Sequence, residues 1–157
     1  MENIKLSKNL SLKEVIKSNT ATRRGLDNTP TNEHLNNLKK LAVEIFQPIR
    51  DKFGVAIGIS SGYRSHDLNV AIGGSKTSQH SIGEALDLDA DIFGKLTNSD
   101  IFNFIKDGLD FDQLIWEFGN DLNPDWVHVS FKSYEENRNE ILQAVRVNGK
   151  VNYIKLS

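Results

Sequence analysis

Apolar residues recur at helical spacing in the first part of the chain and alternate with polar ones later on. The run "SLKEVIK" opens with Ser11 and has Glu14 three residues on, a capping-box pattern that predicts a short first helix. "SNTATRRGLDNTP" reads as a polar loop. After Pro30, Thr31 can cap a long helix whose Leu35, Leu38, Ala42, Ile45 and Ile49 fall on one face, and Pro48 should kink or end it. "VAIGISS" reads as a buried strand, and "RSHDLNVAIGG" as a turn and short helix stopped by Gly73 and Gly74. "EALDLDAD" is the next strand. "NSDIFNFIKDG" is an amphipathic helix with Ile101, Phe104 and Ile105 inward. "QLIWEF" and "WVHVSF" are further strands separated by the loop "GNDLNPD", and Asn148-Gly149 between two β-prone runs signals a hairpin.

Helices come early and strands cluster late, which predicts an α+β fold with a central, mostly antiparallel or mixed sheet flanked by helices. A chain of 157 residues fits one small domain spanning 1–157 and buries a core without staples. Charge narrows the partners: 19 Lys and Arg against 21 Asp and Glu give no electrostatic reason to expect nucleic acid. The absence of cysteine removes disulfides and thiolate chemistry, so any metal site must use nitrogen and oxygen ligands. No stretch approaches a membrane span, and the first twenty residues lack a continuous apolar segment of signal-peptide type. The expectation is a monomer made in the cytoplasm that reaches any external target only after release.

The strand "EALDLDAD" carries a comb of carboxylates. Side chains alternate along a strand, so Ala85, Asp87, Asp89 and Asp91 share one face. Such a comb either faces water or has an electropositive partner. Alternation in "WVHVSF" likewise puts Trp126, His128 and Ser130 on one face and Val127, Val129 and Phe131 on the other. Four stretches supply polar groups unusual for a core: "SSGYRS" with Arg64, "SQHSIGEALD" with His80 and Asp87, "IWEF" with Glu117, and "DWVHVSF" with Asp125 and His128. Two histidines and one carboxylate, with a fourth position open to water, form a known catalytic zinc shell. An arginine nearby can orient a substrate carboxylate or stabilise an oxyanion. Each residue alone has a blander role: a hydrogen-bonded histidine, a solvated aspartate, a surface arginine. Their combination points to a site.

In their order, "SGYRS", "SQHSIGEALD" and "DWVHVSF" resemble the signatures of the zinc D-alanyl-D-alanine carboxypeptidases, with the pattern Ser-x-His-x-x-Gly-x-Ala-x-Asp complete from Ser78 to Asp87. The wider group includes D-Ala-D-Ala dipeptidases and phage L-alanyl-D-glutamate endolysins, and shares its fold with the signalling domain of hedgehog proteins. The resemblance implies one zinc ion held by His80, Asp87 and His128. It also implies Asp125 as general base and later acid, and Arg64 as the residue that holds substrate and stabilises the tetrahedral intermediate. Ser78 becomes a supporting hydrogen-bond donor near the metal or substrate. The implied function is hydrolysis of a peptide bond in peptidoglycan stem peptides, by a carboxypeptidase or an endolysin-type endopeptidase of phage or prophage origin acting on the wall after release.

Alternatives stand beside these assignments. Strict alternation puts Asp125 and His128 on opposite faces, so Asp125 must lie on an irregular turn after Pro124 to reach the metal. Glu117 is the rival base, or else a partner that orients a histidine. Asp89 shares the face of Asp87 and could replace it. Tyr63 and Trp126 either contact substrate or pack near the site, whereas His34 and His66 read as surface residues. A different class of function, a zinc-containing but non-catalytic wall-binding or phage structural module, needs no general base at all.

Overall fold

The structure is a computed structural model that describes residues 2–156. A short hairpin, β1 (Lys5–Ser7) and β2 (Leu10–Ser11), leads into α1 (Leu12–Ile16). The capping box forms as its sequence suggests: the Glu14 carboxylate accepts from the Ser11 N–H at 2.7 Å and from its hydroxyl at 2.9 Å. The stretch expected to be a polar loop instead holds α2 (Asn19–Arg24). Ser18 accepts from the Ala21 N–H at its start and Gly25 closes it, so start and stop residues were both present in a run too polar to show a periodic face.

Helix α3 (Asn32–Leu41) starts at the Thr31 cap. Pro48 does not end the helical run. A π-helical turn over Ala42–Phe46 precedes it, and α4 (Gln47–Phe53) carries on beyond. A proline lacks an N–H and its ring crowds the carbonyl four residues back. The wider turn takes up that misfit just before the ring. Leu38, Leu41, Ala42, Ile45, Phe46 and Ile49 are buried along this run.

Strand β3 (Gly58–Ser61) is followed by α5 (His66–Ala71), capped by Ser65. Next come β4 (Ala85–Asp89) and α6 (Asn98–Gly108), in which Phe102 is buried with Ile101 and Ile105 while Phe104 is only partly buried. Strands β5 (Gln113–Glu117), β6 (Trp126–Ser130), β7 (Glu140–Val147) and β8 (Lys150–Lys155) complete the chain. The six-stranded sheet has the order β3-β4-β6-β5-β7-β8 and is antiparallel except where β5 runs parallel to β7. The α+β architecture with a mostly antiparallel sheet is therefore what forms. Asn148 and Gly149 turn the last hairpin with φ of 52° and 76°.

One face of the sheet is sealed by the helices. Leu86, Leu88, Leu114, Val127 and Val129 show no exposure and meet Leu38, Ile45, Ile49, Ile101 and Ile105 in one core. Each such side chain contributes about 1.5–3 kcal/mol relative to exposure. The other face of the same strands is left for polar side chains.

Asn98 ties the end of β4 to the loop before β6. Its side-chain oxygen accepts from the Ala90 N–H at 2.6 Å, and its NH₂ reaches the Pro124 and Asp125 carbonyls at 3.2 and 3.0 Å and Asp89 Oδ1 at 3.1 Å. Asn98→Ala leaves a buried N–H and a carbonyl without partners, so urea unfolding should report a loss of about 2–4 kcal/mol. A surface-like loss below about 0.5 kcal/mol would contradict this linking role.

Candidate metal centre and cleft

The register between β4 and β6 builds the centre. Leu86 pairs with Val129 and Leu88 with Val127 on the core face, so Asp87, directly opposite His128, emerges on the other. On the far side of β6, Ile115 of β5 pairs with His128 and Glu117 with Trp126. Asp87, His128, Trp126, Ile115 and Glu117 thus line one surface, and alternation alone puts them there.

His80 comes from outside the sheet, on a 3₁₀ turn over Gln79–Ile82. The Ser78 hydroxyl accepts from the His80 N–H at 3.3 Å and so starts the turn, and Gly83 ends it with φ of 79°. A side chain at Gly83 would be strained and would put its Cβ 2.5 Å from the His34 carbonyl. The buried imidazole has Nδ1 2.8 Å from the Gly62 carbonyl, an acceptor only. Nδ1 must therefore carry a hydrogen, and Nε2 is the ring nitrogen turned toward Asp87 Oδ1, at 3.2 Å. Gly62 in turn lies so close to the Val15 carbonyl that a Cβ would sit 2.2 Å from its oxygen.

His128 Nδ1 lies 3.0 Å from the same Asp87 oxygen, and one ligand atom from each of His80, Asp87 and His128 falls within 4.8 Å of the others. Burial works against ionisation of Asp87, but the His80 and His128 imidazoles, by charge and hydrogen bond, hold its carboxyl well below the usual range. A carboxylate kept charged between two imidazoles, one with its tautomer set by a backbone carbonyl, is the donor set a divalent metal of zinc type takes. The residues fit the group. Asp89, the possible substitute, is committed elsewhere: its carboxylate accepts from the Asp91 N–H and from Asn98. Asp91 has left the strand and is exposed. The comb resolves into one carboxylate between two imidazoles, one hydrogen-bond acceptor for the backbone and one surface residue.

The triad lies in a cleft of about 1140 Å³ whose lining includes Arg64, Ser78, Glu117, Trp126, Lys132 and Arg138. One Arg64 nitrogen donates to Ser78 Oγ at 3.2 Å, and its buried Nε has no partner among the described residues. Glu117 is buried in the cleft wall. Burial pushes its carboxyl up to about 7, His128 opposing and Asp87 adding to the rise. Asp125 is placed differently. It is exposed and lines a smaller, adjoining depression that shares Phe118, Trp126 and Arg146 with the cleft of the triad, while Asp125 itself does not line that cleft. Its N–H donates at 2.9 Å to the carbonyl of Glu117, the residue already paired with Trp126, so the ladder ends irregularly here, yet Asp125 is not among the residues that line the cleft of the triad.

Tyr63 also points away from the triad. It is buried, with its hydroxyl 2.9 Å from His34 Nδ1, which makes His34 a partly buried partner of Tyr63 and leaves His66 exposed. Trp126 lines the cleft and stacks at 5.5 Å on Phe118. Several lining residues were not foreseen from the sequence. Arg138 reaches the fully buried Asp112 through two nitrogens at 3.0 and 2.8 Å, and Gln79 donates to the same carboxylate at 2.9 Å. Leu142, Arg146, Val151 and Tyr153 come from the final hairpin. Burial raises the Tyr153 phenol, with Glu117 and Asp87 adding to the shift. An Arg in "AVRV" and a Tyr in "VNYI" carry no motif, and only the hairpin signal pointed to their neighbourhood.

The raised carboxyl of Glu117 sets a pH dependence for the metal-free protein. Its folded pKa of about 7 exceeds the ordinary 4.5, so the folded state holds the proton more tightly. The stability it contributes is complete below about pH 4.5 and is lost as pH rises through about 7. Glu117→Gln should then raise the unfolding free energy of metal-free protein by up to about 3 kcal/mol at about pH 8 and change it little at about pH 4, read by urea denaturation at both. Equal effects at the two pH values would remove burial as the cause.

Residues 8–130 match the family model described as Peptidase M15. A search of curated proteins finds no match. The matched span contains β3 to β6, the turn that carries His80 and every ligand of the triad, and it covers well over half of the 157 residues. The chain belongs to the peptidase M15 family of zinc carboxypeptidases and endolysin-type metallopeptidases.

Proposed function

We propose that the protein is a zinc peptidase that cuts an amide bond within peptidoglycan stem peptides, with His80, Asp87 and His128 as metal ligands and Glu117 as general base. The observation that carries the reading is the placement of Glu117, buried in the wall of the same cleft as the triad while Asp125 lies outside it. Bound at the triad, zinc supplies a Lewis acid that polarises a carbonyl and makes water acidic enough to deprotonate near neutral pH.

The chain's own groups do the rest. The Glu117 carboxylate takes a proton from the attacking water and returns it to the leaving amine nitrogen. A pKa raised by burial suits both tasks better than that of an exposed carboxylate. Arg64, aligned by Ser78, supplies guanidinium N–H groups to the carbonyl oxygen as charge develops on it. The Gly62 carbonyl holds His80 in the tautomer that presents Nε2, so no imidazole reorientation is needed when a metal enters. The cleft continues past the triad on both sides, from Ser75 and Thr77 at one end to Val151 and Tyr153 at the other, which favours a substrate with residues bound on either side of the scissile bond. That favours an endopeptidase over an enzyme that removes only a terminal residue.

Calorimetry with zinc should show one equivalent bound by wild type and none bound tightly by His80→Ala or Asp87→Ala, because each removes a ligand of a three-residue site. Undiminished affinity in both variants would place the metal elsewhere. Mass spectrometry of stem peptides and muropeptides after incubation with zinc-loaded protein should give a new product and name the bond. Glu117→Gln should keep its zinc and lower kcat by about 10²–10⁴-fold, whereas Asp125→Ala should stay within about threefold of wild type, as expected of an exposed residue away from the reaction. The reverse result would return the base to Asp125, and no product from any peptide with zinc bound would favour the non-catalytic binding module.

A further inference from the structure

The final hairpin lies beyond residue 130, where the family match ends, yet it forms a wall of the cleft. Strand β7 runs parallel to β5 with Ile115 paired to Leu142 and Glu117 to Ala144. Alternation therefore brings Leu142, Ala144 and Arg146 to the face that carries Glu117. On β8, Tyr153 pairs with Ala144 and Val151 with Arg146. Ala144, buried and small, is all that separates Glu117 from Tyr153 in the row across the sheet.

Arg146 is held in an uncommon way. Its guanidinium carbon sits 4.5 Å above the centre of the Phe118 ring, and Phe118 stacks in turn against Trp126. Phe118 has φ of 57°, a left-handed conformation that a bulky residue adopts only where its surroundings impose it. Here its N–H donates to the Ala144 carbonyl at 3.0 Å, which clamps the residue after Glu117 to the strand that carries Arg146. The result is a rigid aromatic platform under a cation. Among the described residues Arg146 makes no ion pair, whereas Arg138, the other arginine on this side of the sheet, is spent on Asp112. A cation–π contact uses none of the guanidinium N–H groups, none of which has a hydrogen-bond partner among the described residues, and a guanidinium edge matches a planar carboxylate in a two-point contact.

We infer that Arg146 is the subsite for a carboxylate of the peptide substrate, bound on the Glu117 side of the triad with Tyr153 beside it and away from Arg64. The inference rests on the zinc-peptidase reading for the nature of the substrate, since stem peptides carry carboxylates both at the chain end and on acidic residues. It assigns part of the substrate specificity to a segment outside the matched family span.

The test compares three forms of one stem peptide: unmodified, amidated at its C-terminus, and amidated at its acidic residue. Binding is measured by calorimetry to the zinc-loaded protein in the Glu117→Gln background, where bound peptide is not consumed, and turnover is followed with Glu117 intact. With Arg146 present, one of the two amides should bind about tenfold or more weakly than the unmodified peptide, and which one it is names the carboxylate. Arg146→Ala should erase that preference and appear in KM more than in kcat, and Arg146→Lys should restore only part of it. An unchanged preference in Arg146→Ala, or an equal loss for all three peptides, overturns the subsite. An Arg146-dependent preference without turnover would keep the subsite and discard the peptidase, and the absence of both binding and turnover would discard both.

Discussion

The pairing of β4 with β6 is the constraint on which the remainder depends. Leu86 against Val129 and Leu88 against Val127 fill the core, and the same register sets Asp87 opposite His128 on the other face. A slip of β4 by one residue would send the fully buried Leu86 and Leu88 to the polar face and turn Asp87 into the core. The burial energy of the core thus enforces the geometry of the metal centre. Two residues of the triad, Asp87 and His128, need no special loop, only a sheet that cannot shift.

The third ligand depends on the backbone of a neighbouring segment. His80 is buried on a short turn, and what orients it is the Gly62 carbonyl, itself held against α1 by the close approach of Gly62 to Val15. Burial disfavours charge on two carboxylates of the same cleft, and their neighbours decide the outcome. Asp87 lies between two imidazoles and is kept charged, whereas Glu117 lacks such close partners and is pushed toward neutrality. Carboxyl groups whose environments drive their pKa values apart are suited to different tasks, one holding a cation and the other moving a proton.

The polar network behind the cleft serves position more than chemistry. Asn98 fastens the loop before β6 to the end of β4, and Asp112, fully buried, gathers Arg138 and Gln79. Gln79 precedes His80, so the Asp112 cluster anchors the turn that delivers the ligand. Tyr63 supports the same region from behind, through His34.

Much was legible in the sequence because it is local. The capping box at Ser11, the alternation of "WVHVSF", the Asn148-Gly149 turn and the spacing from Ser78 to Asp87 each specify a local conformation or a set of donors, and the α+β class follows from their order. The polar run of α2 and the passage of the helix through Pro48 were not legible, since end signals without an apolar face and a π turn ahead of a proline leave little periodic trace. The choice between Asp125 and Glu117 could not be read either. Both neighbour the strand of His128, one along the chain and one across the sheet, and only the packing of β5 beside β6 places Glu117 in the cleft and leaves Asp125 outside it. The sequence by itself determined which residue types could form a nitrogen-and-oxygen site and most of the elements that carry them, because these are properties of short stretches. Tertiary structure decided that Glu117 shares the cleft of His80, Asp87 and His128 and that Arg146 lies over Phe118, because both depend on strands far apart in the chain being paired in one register.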